Sequence, residues 1–197
     1  MPFRPGLLQG VDVVFAPGAS AAGGAPVAVL LGALGADLNG LEADLLDEQA
    51  AIAAVEALES ATVLVCDGGA LMRAAVRERD EPPAARDAAG LRAAVEGTWT
   101  ATRALVNARL APAGFGKVLL IAPRPADGAD AAAAGAALEN LARTTAVEWA
   151  RLGVRVVVIR PRDATSDAAL AQCVAYLASS AGDYFSGCVL DLGLAAA

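Results

Sequence analysis

The sequence predicts an α/β chain folded around a parallel sheet. Short runs rich in Val, Leu and Ile recur along it, and alanine-rich stretches long enough for helices separate them. The run Val154-Arg-Val-Val-Val-Ile159 is β-branched and almost wholly apolar, as suits a strand buried on both faces. Glycine, proline and aspartate punctuate the joints.

The first strand is Val11 to Ala16, and a helix from about Gly24 to Leu34 follows and stops at Gly35. Leu41 to Leu45 is predicted as a short strand. Asp47 caps the next helix, Glu48 to Leu58, whose first turn carries an acid. The strand Ala61 to Cys66 ends in Asp67-Gly-Gly69. Arg77 to Asp87 mixes charges around Pro82-Pro83 and is predicted as a flexible polar loop. Leu91 to Leu110 is a helix, closed by the Gly/Pro turn Ala111 to Gly116. The strand Lys117 to Ala122 precedes a long helix, Ala131 to Leu152, which Gly153 ends. After the strand Val154 to Ile159 come a helix, Asp167 to Ser179, and a last strand, Gly187 to Leu192. There is no internal repeat, and the length of 197 residues fits one domain.

Composition excludes several function classes. The net charge of −7 argues against nucleic acid, which needs a surplus of Lys and Arg. Apolar residues reach 56%, yet much of that is alanine, and no run approaches the eighteen or so residues of a membrane span. The N-terminus has no secretory pattern, so a cytoplasmic protein is expected. The three cysteines lie far apart without metal spacing and read as free thiols. With no histidine there is no His general base, Ser-His-Asp triad or His metal ligand.

The first strand runs into Pro17-Gly-Ala-Ser-Ala-Ala-Gly-Gly24, a glycine-rich turn into a helix of the kind that holds dinucleotides in a Rossmann-type sheet. Further on, Leu138 to Val156 and Ala178 to Asp191 resemble the back half of the short-chain dehydrogenase/reductase family. The resemblance spans about Val11 to Leu192 and is most specific in the last third. It implies a Rossmann-like, doubly wound parallel sheet, shortened here by one strand-helix unit and by the substrate lid. Against the family's Thr-Gly-x-x-x-Gly-x-Gly turn, Gly18 and Gly24 hold the outer glycine positions and Ala22 replaces the middle one. Asp44-Leu45 matches the dipeptide that touches adenine, and Gly69 matches the last residue of the family's Asn-Asn-Ala-Gly motif.

The family's catalytic residues have no counterpart. Its Tyr and Lys positions fall on Ala131 and Gly135, its Ser position near Ala122 or Pro123, and its relay Asn near Glu96. No Tyr-x-x-x-Lys exists, because Lys117 stands alone beside Tyr176 and Tyr184. An alanine cannot transfer a proton. Pro161 to Asp167 passes straight into the next helix where the family carries a mobile substrate loop.

What persists is the segment that builds subunit contacts in active members. Leu138, Leu141, Thr145 and Trp149 recur at helical spacing, with Trp99, Arg103 and Val106 on the partner helix, and are expected at an interface. The leading expectation is therefore a pseudo-enzyme that pairs with itself or, foremost, with an active relative working on 3-hydroxyacyl or 3-oxoacyl thioesters. NAD(P) is expected in that partner rather than in this chain. Two alternatives stand beside it. One is a divergent NAD(P)-dependent oxidoreductase using Asp67, Glu96 or Ser166, with a cofactor site rebuilt around Gly18, Gly24 and Asp44. The other is a non-catalytic dinucleotide-binding regulator.

Overall fold

The structure is a computed structural model that describes residues 3–18, 24–77 and 82–195. Six strands form one sheet, all parallel: β1 (Asp12–Ala16), β2 (Asp37–Gly40), β3 (Val63–Asp67), β4 (Gly116–Ile121), β5 (Val154–Arg160) and β6 (Cys188–Asp191). Their spatial order is β2-β1-β3-β4-β5-β6. The chain winds outward in both directions from the β1/β3 boundary, which makes a doubly wound, Rossmann-like sheet. In open sheets of this kind that boundary is the crevice that receives ligands.

Alternation along the central strands sorts the core onto two faces. Val14, Leu64, Cys66, Leu120 and Val158 point to one side, where they meet α2 (Glu48–Glu56), α5 (Thr98–Leu105) and α7 (Ala131–Glu148). Val13, Phe15, Val65, Leu119 and Ile159 point to the other, against α1 (Gly24–Ala33) and α8 (Asp167–Ala178). Both faces are covered, which explains strands without polar alternation.

Three elements differ from the sequence expectation. Leu41 to Leu45 is not a strand. The strand lies just before it, at Asp37–Gly40, and pairs with β1 through Asp12↔Asp37 to Phe15↔Gly40. Its residues are mostly exposed, so no apolar run marks it, whereas Leu41 and Leu45 are buried from a loop. Secondly, Gly68 and Gly69 do not close a turn but begin a helix, α3 (Gly68–Arg77). Thirdly, much of the expected loop 77–87 is helical. Arg77 ends α3, and Pro83 opens α4 (Pro83–Arg92) as its first residue, where a missing N–H costs nothing. The middle of that loop, 78–81, lies outside the described residues.

From α4 the chain stays helical through a π segment Ala93–Gly97, then α5, a second π segment Val106–Leu110 and α6 (Ala111–Ala113). It turns at Gly114, whose φ of 69° is left-handed. The strand missing from the sheet is the one that would lie outside β2 in the 3-2-1-4-5-6 order of dinucleotide folds. The second strand itself, whose end normally reads the ribose, is retained.

Lys117, the one lysine of the chain, serves packing at the N-terminal end of the sheet. It is 3% exposed in β4. Its Nζ donates to the carbonyls of Leu177, Ala178 and Ser179 at the end of α8 and pairs with Asp183 at 2.6 Å. It thus satisfies carbonyls that a helix terminus leaves without partners.

Candidate functional site

The C-terminal ends of β3, β4 and β5 carry two adjoining cavities. The first, about 260 Å³, is lined by Ala122 and Pro123 after β4, by Ala131, Ala132, Gly135 and Ala136 on the first turns of α7, by Arg160 at the end of β5 and by Pro161 and Arg162 after it. It therefore gathers all four positions that the resemblance assigns to Ser, Tyr and Lys, and every one holds a small or apolar residue. A Cβ at Gly135 would only touch Ala122 Cβ, at 3.9 Å, so the space left by a missing side chain is open. Its charged groups are two arginines, both committed to carboxylates: Arg160 to Glu139 and Asp191, Arg162 to Asp191. Asp191 is correspondingly held at about 2, first by the hydrogen bond from Arg162.

Neither tyrosine nor the lysine lines this cavity. Tyr184 is 92% exposed, and Tyr176 packs edge-to-face on Phe185 with centroids 5.9 Å apart. Only the residues 161–166 join β5 to α8, folded back by hydrogen bonds between Arg162 and Thr165. Among the described residues, no long loop covers the cavity. Ser166 caps α8 by accepting the Ala169 N–H, and Glu96 is exposed in an ion pair with Arg92. Neither faces the cavity.

The second cavity, about 230 Å³, lies between the ends of β3 and β4 and is lined by Asp67, Arg73, Arg124, Asp127 and Asp167 among others. Arg73 donates to Asp127 at 2.6 Å and stands 3.9 Å from Asp67. The second Asp127 oxygen accepts the Arg124 N–H at 2.7 Å. Asp67 accepts the Ala70 N–H at 2.9 Å at the start of α3. Burial pushes its carboxyl above the ordinary range, against the pull of that N–H and of Arg73. This network was not legible in the sequence, because its members lie up to 60 residues apart (Asp67 to Asp127) and match no motif.

Gly69, expected at a vestigial cofactor site, has a different use here. A Cβ on it would lie 2.6 Å from Asp127 Oδ2 and 3.1 Å from Arg73 Nη1. Its lack of a side chain gives that ion pair room. Gly18 is buried at the end of the β1 turn, and the carboxylate end of the exposed, flexible Glu42 side chain lies where a Cβ on Gly18 would stand. A carboxylate there repels a diphosphate. Gly24 opens α1, and residues 19–23 of the turn lie outside the described residues. Asp44 is a turn residue: its side chain accepts the Leu46 N–H at 2.9 Å and its carbonyl accepts the Asp47 N–H. Leu45 belongs to the core.

The seven expected interface residues divide. Val106 and Leu138 are fully buried in the monomer, and Thr145 is 2% exposed with its hydroxyl on the Leu141 carbonyl. These three cover the sheet, as correction to the expectation of a partner contact. Trp99, Arg103, Leu141 and Trp149 are half-buried. Trp99 and Trp149 stack with centroids 6.3 Å apart, and Arg103 lies over Trp99 while pairing with Glu48. On α7 the apolar residue that faces outward is Val147, 79% exposed.

Among the described residues, no cluster of Cys, Asp or Glu could hold a metal ion, and no helix is long and apolar enough to cross a membrane. Cys66 is buried against the Thr98 hydroxyl, and burial pushes its thiol up to about 12, so it is inert as a nucleophile.

Neither a family model nor a curated protein matches the chain. Solved structures do match it. A citronellol catabolism dehydrogenase of Pseudomonas aeruginosa superposes with a TM-score of 0.76 at 20% identity, over 96% of this chain and 95% of that one. A gluconate 5-dehydrogenase from Burkholderia cenocepacia, solved with NADP and tartrate, gives 0.77 at 19% identity over 96% and 97%. A 2-keto-3-deoxy-D-gluconate dehydrogenase from Streptococcus agalactiae gives 0.72 at 18% over 93% and 92%. At these identities the likeness is one of fold: the chain has the architecture of these dehydrogenases.

Proposed function

We propose that this chain is a non-catalytic member of the short-chain dehydrogenase/reductase family, a structural subunit that pairs with an active, full-length relative. The observation that carries the reading is the first cavity. Ala122, Pro123, Ala131 and Gly135 meet there, and none can give or take a proton. Hydride transfer to a carbonyl needs a proton donor beside the oxygen, and the chain's one ammonium is held by the end of α8 instead. Glu42 over Gly18 and the short β5–α8 joint point the same way. The exposed side of α7 and the Trp99–Trp149 stack supply a surface for the partner. The resemblance gives that partner NAD(P) and a 3-hydroxyacyl or 3-oxoacyl thioester as substrate class.

One observation favours a second reading, a divergent oxidoreductase. Asp67 is an acid of raised pKa in a crevice, the environment in which proton-transfer groups are found. Glu96 and Ser166, its rivals in sequence, have other employment.

The test combines two measurements. NADH and NADPH are titrated against the purified chain by cofactor fluorescence and calorimetry, with turnover assayed on thioester and polyol substrates. The chain is also co-expressed with a Tyr-x-x-x-Lys relative from the same source, and the mass of the product is measured by light scattering. The subunit reading requires no turnover by the chain alone and a stoichiometric complex with the relative. Turnover abolished by Asp67→Asn establishes the second reading. Micromolar dinucleotide binding without turnover or complex makes the chain a regulator.

A further inference from the structure

The charged groups of the second cavity form a continuous path across the crevice. Arg73, on α3, reaches over to Asp127 in the segment between β4 and α7. Asp127 accepts the Arg124 N–H, and the Arg124 guanidinium continues onward to the carbonyls of Arg162 at 3.0 Å and Thr165 at 2.6 Å. It ends 3.3 Å from Asp167, at the start of α8. A parallel strut runs from the Ala126 N–H to Asp163 at 3.0 Å. The path therefore ties the corner after β3 to the loop after β4, and that loop to the one after β5. In an open α/β sheet this is where a bound ligand bridges the loops.

We infer that the Arg73–Asp127–Arg124 path is an internal latch, which holds segments 122–130 and 161–166 over the strand ends. Three features support it. The Asp127 side chain is 8% exposed, and both its oxygens have charged or backbone donors, so solvent screens the pair little. Gly69 leaves the space that the pair occupies. The latch also joins loops that the sheet itself does not connect. It is built from the chain's own side chains and holds whether the chain is a subunit, a regulator or an enzyme.

The test is amide hydrogen exchange on the full chain without dinucleotide, comparing the native protein with Arg73→Met, Asp127→Asn and the double variant. Asp127→Asn is nearly isosteric and keeps an acceptor for the Arg124 N–H, so it remains readable if Arg73→Met folds poorly. In each single variant, amides of 122–130 should exchange about tenfold faster, with those of 161–166 following, while β-strand amides keep native rates. The double variant should be no faster over 122–130 than Arg73→Met alone, because Asp127→Asn removes the Arg73–Asp127 contact that Arg73→Met already removes. Native exchange of 122–130 in Asp127→Asn overturns the latch, as do single effects that multiply in the double variant. Turnover assays, which decide between subunit and enzyme, leave this test untouched.

Discussion

Asp67 is an acid whose folded environment favours the proton. Burial raises its pKa above the unfolded value, so the folded state binds a proton that the unfolded state has already released. Stability therefore falls as pH rises through the ordinary carboxylate range toward the folded value, and the whole cost is present above it. Asp67→Asn cannot ionise and still offers an acceptor to the Ala70 N–H. It should melt above the native protein at neutral pH and match it below the carboxylate range. Each kcal/mol recovered moves Tm by about 2–4 °C in a chain of this size. Scanning calorimetry across pH checks this, and a lower Tm at neutral pH would count against it. Gly69→Ala makes the opposite case. It places a methyl 2.6 Å from Asp127 Oδ2 and should destabilise the protein although alanine is the better helix former, by about 1 kcal/mol in a helix interior. A Tm above native would show that the Arg73–Asp127 pair yields easily.

At the scale of the element, α7 and α8 give separable predictions. Thr145 is buried on α7, so Thr145→Asp should cost about 3–5 kcal/mol by leaving an unpaired charge in the core. Val147, one face away, is open to solvent, and Val147→Asp should stay within about 0.5 kcal/mol of native while removing the complex with an active relative. Denaturant melts and light scattering read the two effects. Lys117→Met leaves the carbonyls at the end of α8 and the Asp183 carboxylate unpaired, at a cost of about 3–5 kcal/mol. A melt within 1 kcal/mol of native would show that water replaces the ammonium.

These elements also show what the sequence revealed and why. Central strands were legible because burial on both faces demands unbroken apolar runs, as in Val154 to Ile159. β2 was not, because an exposed edge needs no such run and Asp37-Leu-Asn-Gly40 has none. α3 was masked by Gly68 and Gly69, which read as a turn but serve close packing: a Cβ at Gly68 would come within 3.0 Å of Leu138. Amphipathic spacing placed Leu138 and Thr145 on one face of α7. It could not say whether that face met the sheet or a partner, and it meets the sheet.

For the whole molecule, the positions aligned with the family's Ser, Tyr and Lys came from matching motifs, and the fold brings Ala122, Pro123, Ala131 and Gly135 together in one cavity. The charged crevice beside it had no such guide. On the proposed non-catalytic reading the departures from the family are spread over several elements, which sets a last expectation. Ala131→Tyr with Gly135→Lys should restore no detectable hydride transfer. Glu42 still lies on Gly18, and the short 161–166 joint still leaves the cavity uncovered. Gly135 faces open space while Ala131 is buried, so a melt of the variant measured beside its turnover separates a null result from a failure to fold. Turnover with NADH or NADPH in that double variant, followed by absorbance at the nicotinamide band, would show that the remaining losses matter less than proposed.

Dropping the outer strand moves the boundary of the sheet to β2. A newly exposed border usually invites another chain to add a strand, the route to fibrils and swapped dimers. Here the border is four residues long, carries Asp37 and Asn39, and ends at Gly40. It offers little length for pairing, and Leu38 is its one apolar side chain. At β2 the shortened sheet thus gives little purchase for edge-to-edge polymerisation.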